Sequence, residues 1–263
     1  MENGFVTIGG SKIYWEKEGA GEPLVFIHAD ALDTRQWDKQ VQYFSKKYTV
    51  IRYDIRSFGK SDIPTDVPYS FSEDLNILLD SLSVPPAHFV GLSLGSAVIL
   101  DLAITHPEKV RSMVLSDSGI SGDGFNEEFI KSITNIVTLA KSGKTEAAKK
   151  AWSDLSIFDY SRKLPEVWVQ VQKMVDDTSG YRWYGKNQPV DIDPSAVKRL
   201  SEIKVPTLVL VGQHDIDDFQ RKSRLLHAQI SGSQLITISN AGHLSNMDNA
   251  EEFNRAIDSL LST

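Results

Sequence analysis

A serine flanked by glycines is the residue of this chain whose surroundings best fit covalent chemistry. Ser93 lies in the segment Gly91–Gly95 (Gly-Leu-Ser-Leu-Gly), between an apolar strand-like run at 88–92 and a helix-like segment at 97–105. A serine at such a sharp turn exposes its hydroxyl, and the flanking glycines remove side chains that would collide with neighbouring elements. We predict that Ser93 is a nucleophile and that the amide of Leu94, at the helix N-terminus, points at a developing oxyanion. The alternative interpretation is a helix-capping serine with incidental glycine neighbours.

A serine hydroxyl needs a base within hydrogen-bond reach at neutral pH. His243 ends the small-residue turn Asn240–His243, which follows the last strand-like run and precedes the last helix-like segment. Loops at the carboxyl ends of strands are where open α/β sheets bind ligands, so we predict that His243 is the base. The remaining histidines occupy positions typical of structural roles, at 28, 88, 106, 214 and 227. Of these, His227 has the spacing of an apolar helix face and is expected to pack.

An acid that orients the base is predicted at Asp215. It follows the strand-like run Pro206–Val211, again at a carboxyl end of a strand. A carboxylate there accepts the imidazole Nδ1–H, fixes the tautomer and stabilises the imidazolium that forms during proton transfer. Asp217 and Asp218 are close alternatives for this role.

The elements that must position these residues alternate between strands and helices. Buried strands are predicted from continuous apolar runs at 23–28 and 48–54, and further strands at 88–92, 110–116, 206–211 and 234–239. A hairpin is predicted around Gly9-Gly10. Helical patterns separate them, for example at 70–82 and 250–261. This order predicts βαβ units, and therefore an α/β fold with a mostly parallel central sheet flanked by helices.

The alternation is interrupted from about 120 to 200, where helical patterns occur without a convincing buried strand. We predict an α/β core formed by 1–119 and 201–263, with 120–200 inserted as a helical cap; a second independent domain is the alternative. The insert is rich in aromatic residues, and Trp152 and Trp183 are the candidates for a substrate pocket. Attachment of the cap to the core is the other explanation for these aromatic side chains.

Composition narrows the possible functions. The 263 residues are 41 % hydrophobic and 24 % charged, and 28 basic against 35 acidic residues give a net charge of −7, which argues against nucleic-acid or anionic-membrane partners. The absence of cysteine excludes disulfides, thiolate nucleophiles and cysteine-bound metals. With no signal-peptide pattern or long apolar run, a cytoplasmic location is expected. No metal-ligand spacing occurs, and no cofactor is expected.

These residues resemble the α/β-hydrolase superfamily over almost the whole chain. The order serine, aspartate, histidine is that of this fold, and Tyr53–Asp62 resembles its D-x-R-G-x-G-x-S-D loop, with Ser57 where glycine is usual. The segment His106–Val110 is similar to the superfamily's P-E-x-V helix end. Within the superfamily, the resemblance is to small esterases and lactonases, including the 3-oxoadipate enol-lactonase-like group. It implies a serine hydrolase that forms an acyl-enzyme.

The loop expected to complete the oxyanion hole departs from the superfamily pattern. It usually reads H-G-x, whereas this chain has His28-Ala29-Asp30. The resemblance implies that Asp30 supplies the second oxyanion amide, beside that of Leu94. Its carboxylate disfavours anionic groups nearby unless it turns away or pairs, and Arg35 is a candidate partner. The alternative is that Asp30 only caps or turns the loop.

The expected activity is hydrolysis of a small carboxylic ester or lactone. The resemblance leaves other activities of the same triad open, namely carbon–carbon bond hydrolysis and cofactor-free perhydrolysis. A small-molecule sensor of the same fold is the alternative from another class. Ser93 argues against haloalkane dehalogenases and epoxide hydrolases, which resemble this organisation but use an aspartate as the nucleophile.

Overall fold

Eight strands form one sheet in the computed structural model, which describes residues 1–262. The strands are β1 (Glu2–Ile8), β2 (Ser11–Glu18), β3 (Pro23–Ile27), β4 (Thr49–Tyr53), β5 (Ala87–Leu92), β6 (Val110–Ser116), β7 (Thr207–Gly212) and β8 (Gln234–Ile238). Their order in the sheet is β1-β2-β4-β3-β5-β6-β7-β8. β2 is antiparallel to both β1 and β4, and the other neighbouring pairs are parallel. The predicted α/β fold with a mostly parallel sheet is confirmed, as is the hairpin between β1 and β2.

Helices connect and cover the strands. They are α1 (Asp38–Phe44), α2 (Phe71–Ser81), α3 (Leu94–Thr105), α4 (Glu127–Lys141), α5 (Thr145–Ser153), α6 (Pro165–Asp177), α7 (Tyr181–Tyr184), α8 (Asp217–Gln229), α9 (Ser245–Asp248) and α10 (Ala250–Leu261). Among the described residues, no helix is both long enough and apolar enough to cross a membrane.

The central strands are buried on both faces, which explains their continuous apolar runs. In β3, Leu24 and Phe26 point into one hydrophobic cluster, and Val25 and Ile27 point into a second cluster on the opposite face of the sheet. Successive side chains of a strand alternate between faces, so a strand covered on both faces needs apolar residues throughout. The sheet is therefore a rigid, two-sided support for the loops at its edge.

The carboxyl ends of four adjacent parallel strands position the candidate residues. β5 leads into Ser93, β6 into Asp117, β7 into the loop with Asp215 and β8 into the loop with His243. Because parallel strands end at the same edge of a sheet, four segments far apart in sequence meet at one place.

The segment between β6 and β7 contains α4 to α7 and short 3₁₀ turns, and no strand in this described part of the chain. Many apolar side chains of α4 to α7, among them Ile136, Val171 and Trp183, belong to the same hydrophobic cluster as Phe26 of the sheet. The division into a core of 1–119 and 201–263 and a cap of 120–200 stays a prediction.

Ser57 departs from the superfamily's glycine and adopts a backbone conformation that favours glycine. Its φ is 80°, and its hydroxyl is buried without a hydrogen-bond partner among the described residues. The loop holds it in place because its amide donates to the carbonyl of Asp62 (3.0 Å) and its carbonyl accepts from Oγ of Ser179 (2.9 Å). The loop after β4 is therefore retained without the glycine, at the cost of local strain.

Candidate active site

Ser93 sits on a strained turn between β5 and α3. Its φ is 55° and its ψ is −109°, a conformation that costs a non-glycine residue on the order of 1–3 kcal/mol. The Ser93 amide donates to the carbonyl of Ser116 (2.9 Å), and its carbonyl accepts from the amide of Gly119 (3.1 Å). Bonds to the neighbouring strand and its following loop thus hold the serine in this conformation.

The two glycines beside Ser93 are required because backbone fills the space where side chains would be. A Cβ on Gly95 would lie 2.0 Å from the carbonyl oxygen of Ile27, and a Cβ on Gly91 would lie 2.5 Å from the carbonyl carbon of Gly95. Both separations are far below van der Waals contact. The Gly-x-Ser-x-Gly pattern thus has a steric cause here, as the sequence interpretation assumed.

His243 and Asp215 are in direct contact. Nδ1 of His243 lies 2.9 Å from Oδ2 of Asp215, and both residues are buried. Oδ1 of Asp215 accepts from the amide of Ile216 (2.8 Å), which fixes the carboxylate plane. With Nδ1–H donating to the carboxylate, Nε2 is left as the basic nitrogen. The alternatives Asp217 and Asp218 lie in the first turn of α8 and have no contact of this kind with His243.

The loops after β7 and β8 are joined closely enough to account for this contact. The His214 amide donates to the carbonyl of Ala241 (2.8 Å), and a Cβ on Gly212 would lie 2.0 Å from the carbonyl oxygen of Gly242. Asp248 accepts from the Gly242 amide through Oδ2 (2.9 Å) and from Oγ of Ser161, in the insert, through Oδ1 (2.8 Å). The loop that carries His243 is thereby attached to both the sheet edge and the insert.

Burial is the main influence on the pKa of His243. It lowers the pKa of His243 to about 4, and the carboxyl groups of Asp117 and Asp248 offset only part of this effect. The ring also packs against Phe219, with ring centroids 4.1 Å apart. The imidazole is therefore neutral, the form that accepts a proton, throughout the neutral pH range.

Asp117 is a residue that the sequence interpretation missed. It is fully buried directly after β6, and its Oδ1 accepts from the Gly212 amide (2.7 Å). Its Oδ2 accepts from Oγ of Ser116 (2.6 Å) and of Ser245 (2.5 Å). The signal in the sequence is an aspartate immediately after an apolar strand, the same kind of position as Ser93.

Asp117, Asp215 and His243 form a buried trio whose nearest titratable atoms all lie within 4.8 Å of one another. Burial raises the pKa of Asp117 well above its usual range, and the charge of Asp215 raises it further. Burial also raises the pKa of Asp215, but interaction with Asp117 lowers it in part. Two adjacent buried carboxyl groups disfavour the state in which both are ionised.

Among the described residues, the carboxylate oxygens and imidazole nitrogen of this trio are the atoms grouped closely enough to be considered as metal ligands. Its oxygen atoms are already engaged: those of Asp117 by an amide and two hydroxyls, and those of Asp215 by an amide and the imidazole. The sequence contains no cysteine to add a soft ligand. These contacts favour a proton-transfer arrangement over a metal centre.

The loop after β3 places Asp30 at the same site. Its neighbours are fixed: the Ala29 amide donates to Oε1 of Gln36 (2.8 Å), and Nε2 of the buried His28 accepts from the Ile55 amide (2.9 Å). The amides of Asp30 and Leu94 have no hydrogen-bond acceptor among the described residues. They are thus available as donors to a ligand.

The suggested pairing of Asp30 with Arg35 is wrong. Arg35 binds Asp33 (2.5 Å) and Asp177 (2.8 Å) instead, because its guanidinium points away from the cavity toward α6. The cation that acts on Asp30 is Arg182, whose charge partly offsets the rise that burial causes in the pKa of Asp30.

Ser93, Leu94, Asp30 and His243 line one cavity of about 550 Å³. The remaining wall is mostly apolar and comes largely from the insert, including Phe129, Ile133, Val137, Trp152, Phe158 and Trp183. Trp152 and Trp183 pack against each other, with ring centroids 5.5 Å apart. The structure therefore brings together all seven residues singled out from the sequence.

His88, His106 and His227 do not line this cavity. His88 contacts Ser112 and Glu22, and His106 contacts Glu73. The expectation that His227 packs is wrong, since the side chain is exposed and contacts Ser233. The buried face of α8 is shifted by one residue relative to the prediction, so that Ser223 and Leu226 are buried and His227 is not.

The fold and the site define an α/β protein with a serine-containing, mostly apolar cavity at the carboxyl edge of its sheet. Residues 22–250 match the family model of the alpha/beta hydrolase fold, and the chain belongs to this family. It is 25 % identical to (E)-2-((N-methylformamido)methylene)succinate hydrolase of Acinetobacter baylyi, over 95 % of this chain and 94 % of that protein. It is 26 % identical to 3-oxoadipate enol-lactonase 2 of the same species, over 90 % and 88 %. The crystal structure of the enol-lactonase from Burkholderia xenovorans LB400 has the same fold, with a TM-score of 0.85 at 24 % identity, over 99 % and 100 % of the two chains.

The low pKa of His243 predicts an unusually acid-tolerant rate profile. The imidazole must be neutral to accept a proton, so kcat/KM for a neutral ester should fall only as pH drops through about 4. An unperturbed histidine would give this fall near 6.5. The measurement is kcat/KM between pH 3.5 and 8, with circular dichroism at each pH to confirm that the protein stays folded. A midpoint at 6.5 or above would contradict the account of the buried trio.

Two substitutions at Asp117 separate its hydrogen bonding from its charge. Asp117→Asn keeps an acceptor for the Gly212 amide and resembles the protonated acid, so the free energy of unfolding should change by about 1 kcal/mol or less. Asp117→Ala leaves this amide and two hydroxyls without their acceptor and should lower it by at least about 3 kcal/mol. Urea unfolding of the two variants measures the difference. Equal stabilities would show that the hydrogen bonds of Asp117 do not hold the site together.

Proposed function

We propose that this chain is a serine hydrolase that cleaves a small carboxylic ester or lactone through an acyl-enzyme. The observation that carries the proposal is the convergence of three parts on one cavity. These parts are a partly exposed serine on a strained turn, a neutral histidine bonded to an acid, and two amides without acceptors. Together they are the nucleophile, base, orienting acid and oxyanion donors of acyl transfer.

The proposed reaction has two stages. His243 accepts the hydroxyl proton of Ser93 while Oγ attacks the carbonyl carbon, and the amides of Leu94 and Asp30 donate to the developing oxyanion. His243 then protonates the leaving alkoxide, which leaves Ser93 acylated. In the second stage His243 accepts a proton from water as the oxygen of the water attacks the acyl carbon, and His243 then gives this proton to Oγ of Ser93 as the bond between Oγ and the acyl carbon breaks and the acid is released. Asp215 stabilises the imidazolium in both stages, and no step requires a cofactor.

The insert is assigned the role of a cap in this proposal. It supplies most of the apolar wall opposite Ser93, while the sheet edge supplies the polar groups. This separation suits a substrate with one reactive carbonyl and an apolar remainder. The similarity to a protein named as an enol-lactonase supports a lactone as one substrate class.

Steady-state hydrolysis by the intact protein and by Ser93→Ala tests the proposal. The substrates are short-chain p-nitrophenyl esters and a panel of small lactones. We expect sustained turnover by the intact protein and a loss of about 10⁴-fold or more in kcat for the variant, because the nucleophile is removed. Ser118→Ala is the control, since Ser118 is a nearby buried serine that bonds only the Gly119 carbonyl; its activity should stay close to that of the intact protein.

The other outcomes decide against the proposal in different ways. Turnover that is unchanged in Ser93→Ala would exclude Ser93 as the nucleophile. A single turnover per molecule, with a ligand-dependent rise in Tm, would indicate a sensor. Hydrolysis of β-diketones with no hydrolysis of esters would indicate a carbon–carbon hydrolase that uses the same residues.

A further inference from the structure

The wall of the active-site cavity contains buried polar atoms whose hydrogen-bonding capacity no part of the protein uses. Oδ1 of Asp30, Nε of Arg182 and the indole Nε1 of Trp152 and Trp183 are buried without a partner among the described residues. All four residues line the cavity that contains Ser93. A buried polar atom without a partner typically costs about 1–3 kcal/mol, so four such residues around one cavity require an explanation.

The groups differ in what they can bind. Arg182 and the two tryptophans offer donors, whereas the carboxylate of Asp30 accepts. Asp30 and Arg182 attract each other electrostatically, yet they form no ion pair within 4.0 Å. A ligand group that donates to Asp30 and accepts from Arg182 would satisfy these two side chains.

The charges around the cavity indicate which kind of substrate group accepts a hydrogen bond from Arg182, a carboxylate or an uncharged amide. Three carboxyl groups line it, those of Asp30, Asp101 and Asp191, against the single guanidinium of Arg182. Arg182 already donates through Nη1 to Oε1 of Gln188. A carboxylate on the substrate would be repelled by the acidic side chains and would offer no donor to Asp30. An uncharged amide carries one N–H and one carbonyl oxygen and has neither disadvantage.

We propose that the cavity recognises neutral esters or lactones that carry a secondary amide, with the amide N–H donating to Asp30 and the amide oxygen accepting from Arg182. This inference rests on the proposed function and specifies its substrate class. The apolar wall formed by side chains such as Ile133, Val137 and Phe158 accommodates the remainder of the acyl group. The amides of Asp30 and Leu94 stay available for the scissile carbonyl.

Three p-nitrophenyl esters of similar length test the inference: those of N-acetylglycine, pentanoic acid and succinic acid (the mono-ester). At pH 8, where Asp101 with its pKa of about 6 is ionised, we expect kcat/KM to decrease in that order. After correction for the uncatalysed rates, the amide ester should exceed the pentanoate by about tenfold or more, as expected for hydrogen bonds to a buried site.

Substitutions show which residues cause the preference for the amide ester. Arg182→Met and Asp30→Ala should each reduce the amide-to-pentanoate ratio to about threefold or less, because each removes one partner of the amide. Arg224→Met is the matched control, since Arg224 is an exposed arginine of α8 outside the cavity, and its ratio should equal that of the intact protein. A succinate ester that is the best substrate would overturn the inference and make Arg182 a carboxylate-binding residue. Equal rates for the amide and pentanoate esters would also overturn it.

A failure of the proposed function is distinguishable from a failure of this inference. If none of the three esters is hydrolysed, the proposed function fails. Ligand binding then tests whether the cavity recognises the amide. The measurement is the Tm of Ser93→Ala with the methyl esters of the same three acids. A larger increase with the N-acetylglycine ester than with the other two supports amide recognition, and an equal or smaller increase overturns it.

Discussion

The strained turn at Ser93 is the constraint on which the rest of the site depends. A serine with positive φ is stable here only because β5 enters the turn beside β6 and α3 leaves it directly beneath the end of β3. The contact of Gly95 with the Ile27 carbonyl also fixes where the loop after β3 begins, and this loop carries Asp30. The positions of Ser93 and of the amides proposed as oxyanion donors are thus set by one close approach of backbones. Movement of either strand would displace both.

The ends of the neighbouring strands add the ionisable groups of the site, the imidazole of His243 and the carboxyl groups of Asp215 and Asp117. A buried imidazole is poorly solvated when charged, so its protonation during the proposed reaction requires a nearby negative charge. Asp215 is the acid in contact with the imidazole, and the hydroxyls and amide that bond Asp117 hold this second carboxyl group beside it. The site therefore holds the imidazole and the two carboxyl groups in one hydrogen-bonded network with their hydroxyl and amide donors.

Much of this arrangement could be predicted from the sequence, because strand alternation and the Gly-x-Ser-x-Gly turn have direct steric causes. The strands of the sheet, the turn at Ser93 and the loops carrying Asp215 and His243 all follow from apolar runs and the residues that end them. Asp117 was missed because a burial-dependent hydrogen-bond network leaves no periodic signal. The partner of Asp30 was misassigned for a similar reason: Arg35 is close in sequence, whereas Arg182 approaches only through the folding of the insert. His227 was misplaced because a shift of one position along α8 moves a side chain from the apolar face to solvent.

The most direct test of the proposed nucleophile is covalent labelling with an alkyl fluorophosphonate, followed by intact-mass and peptide mass spectrometry. Attack by Oγ of the activated serine displaces fluoride and leaves a phosphonyl group on the serine. The account predicts one adduct per chain, on the peptide containing Ser93, with labelling much slower in His243→Ala because the base is missing. An adduct on another residue would contradict it. So would the absence of any adduct, after treatment with the reagent, on protein that hydrolyses esters.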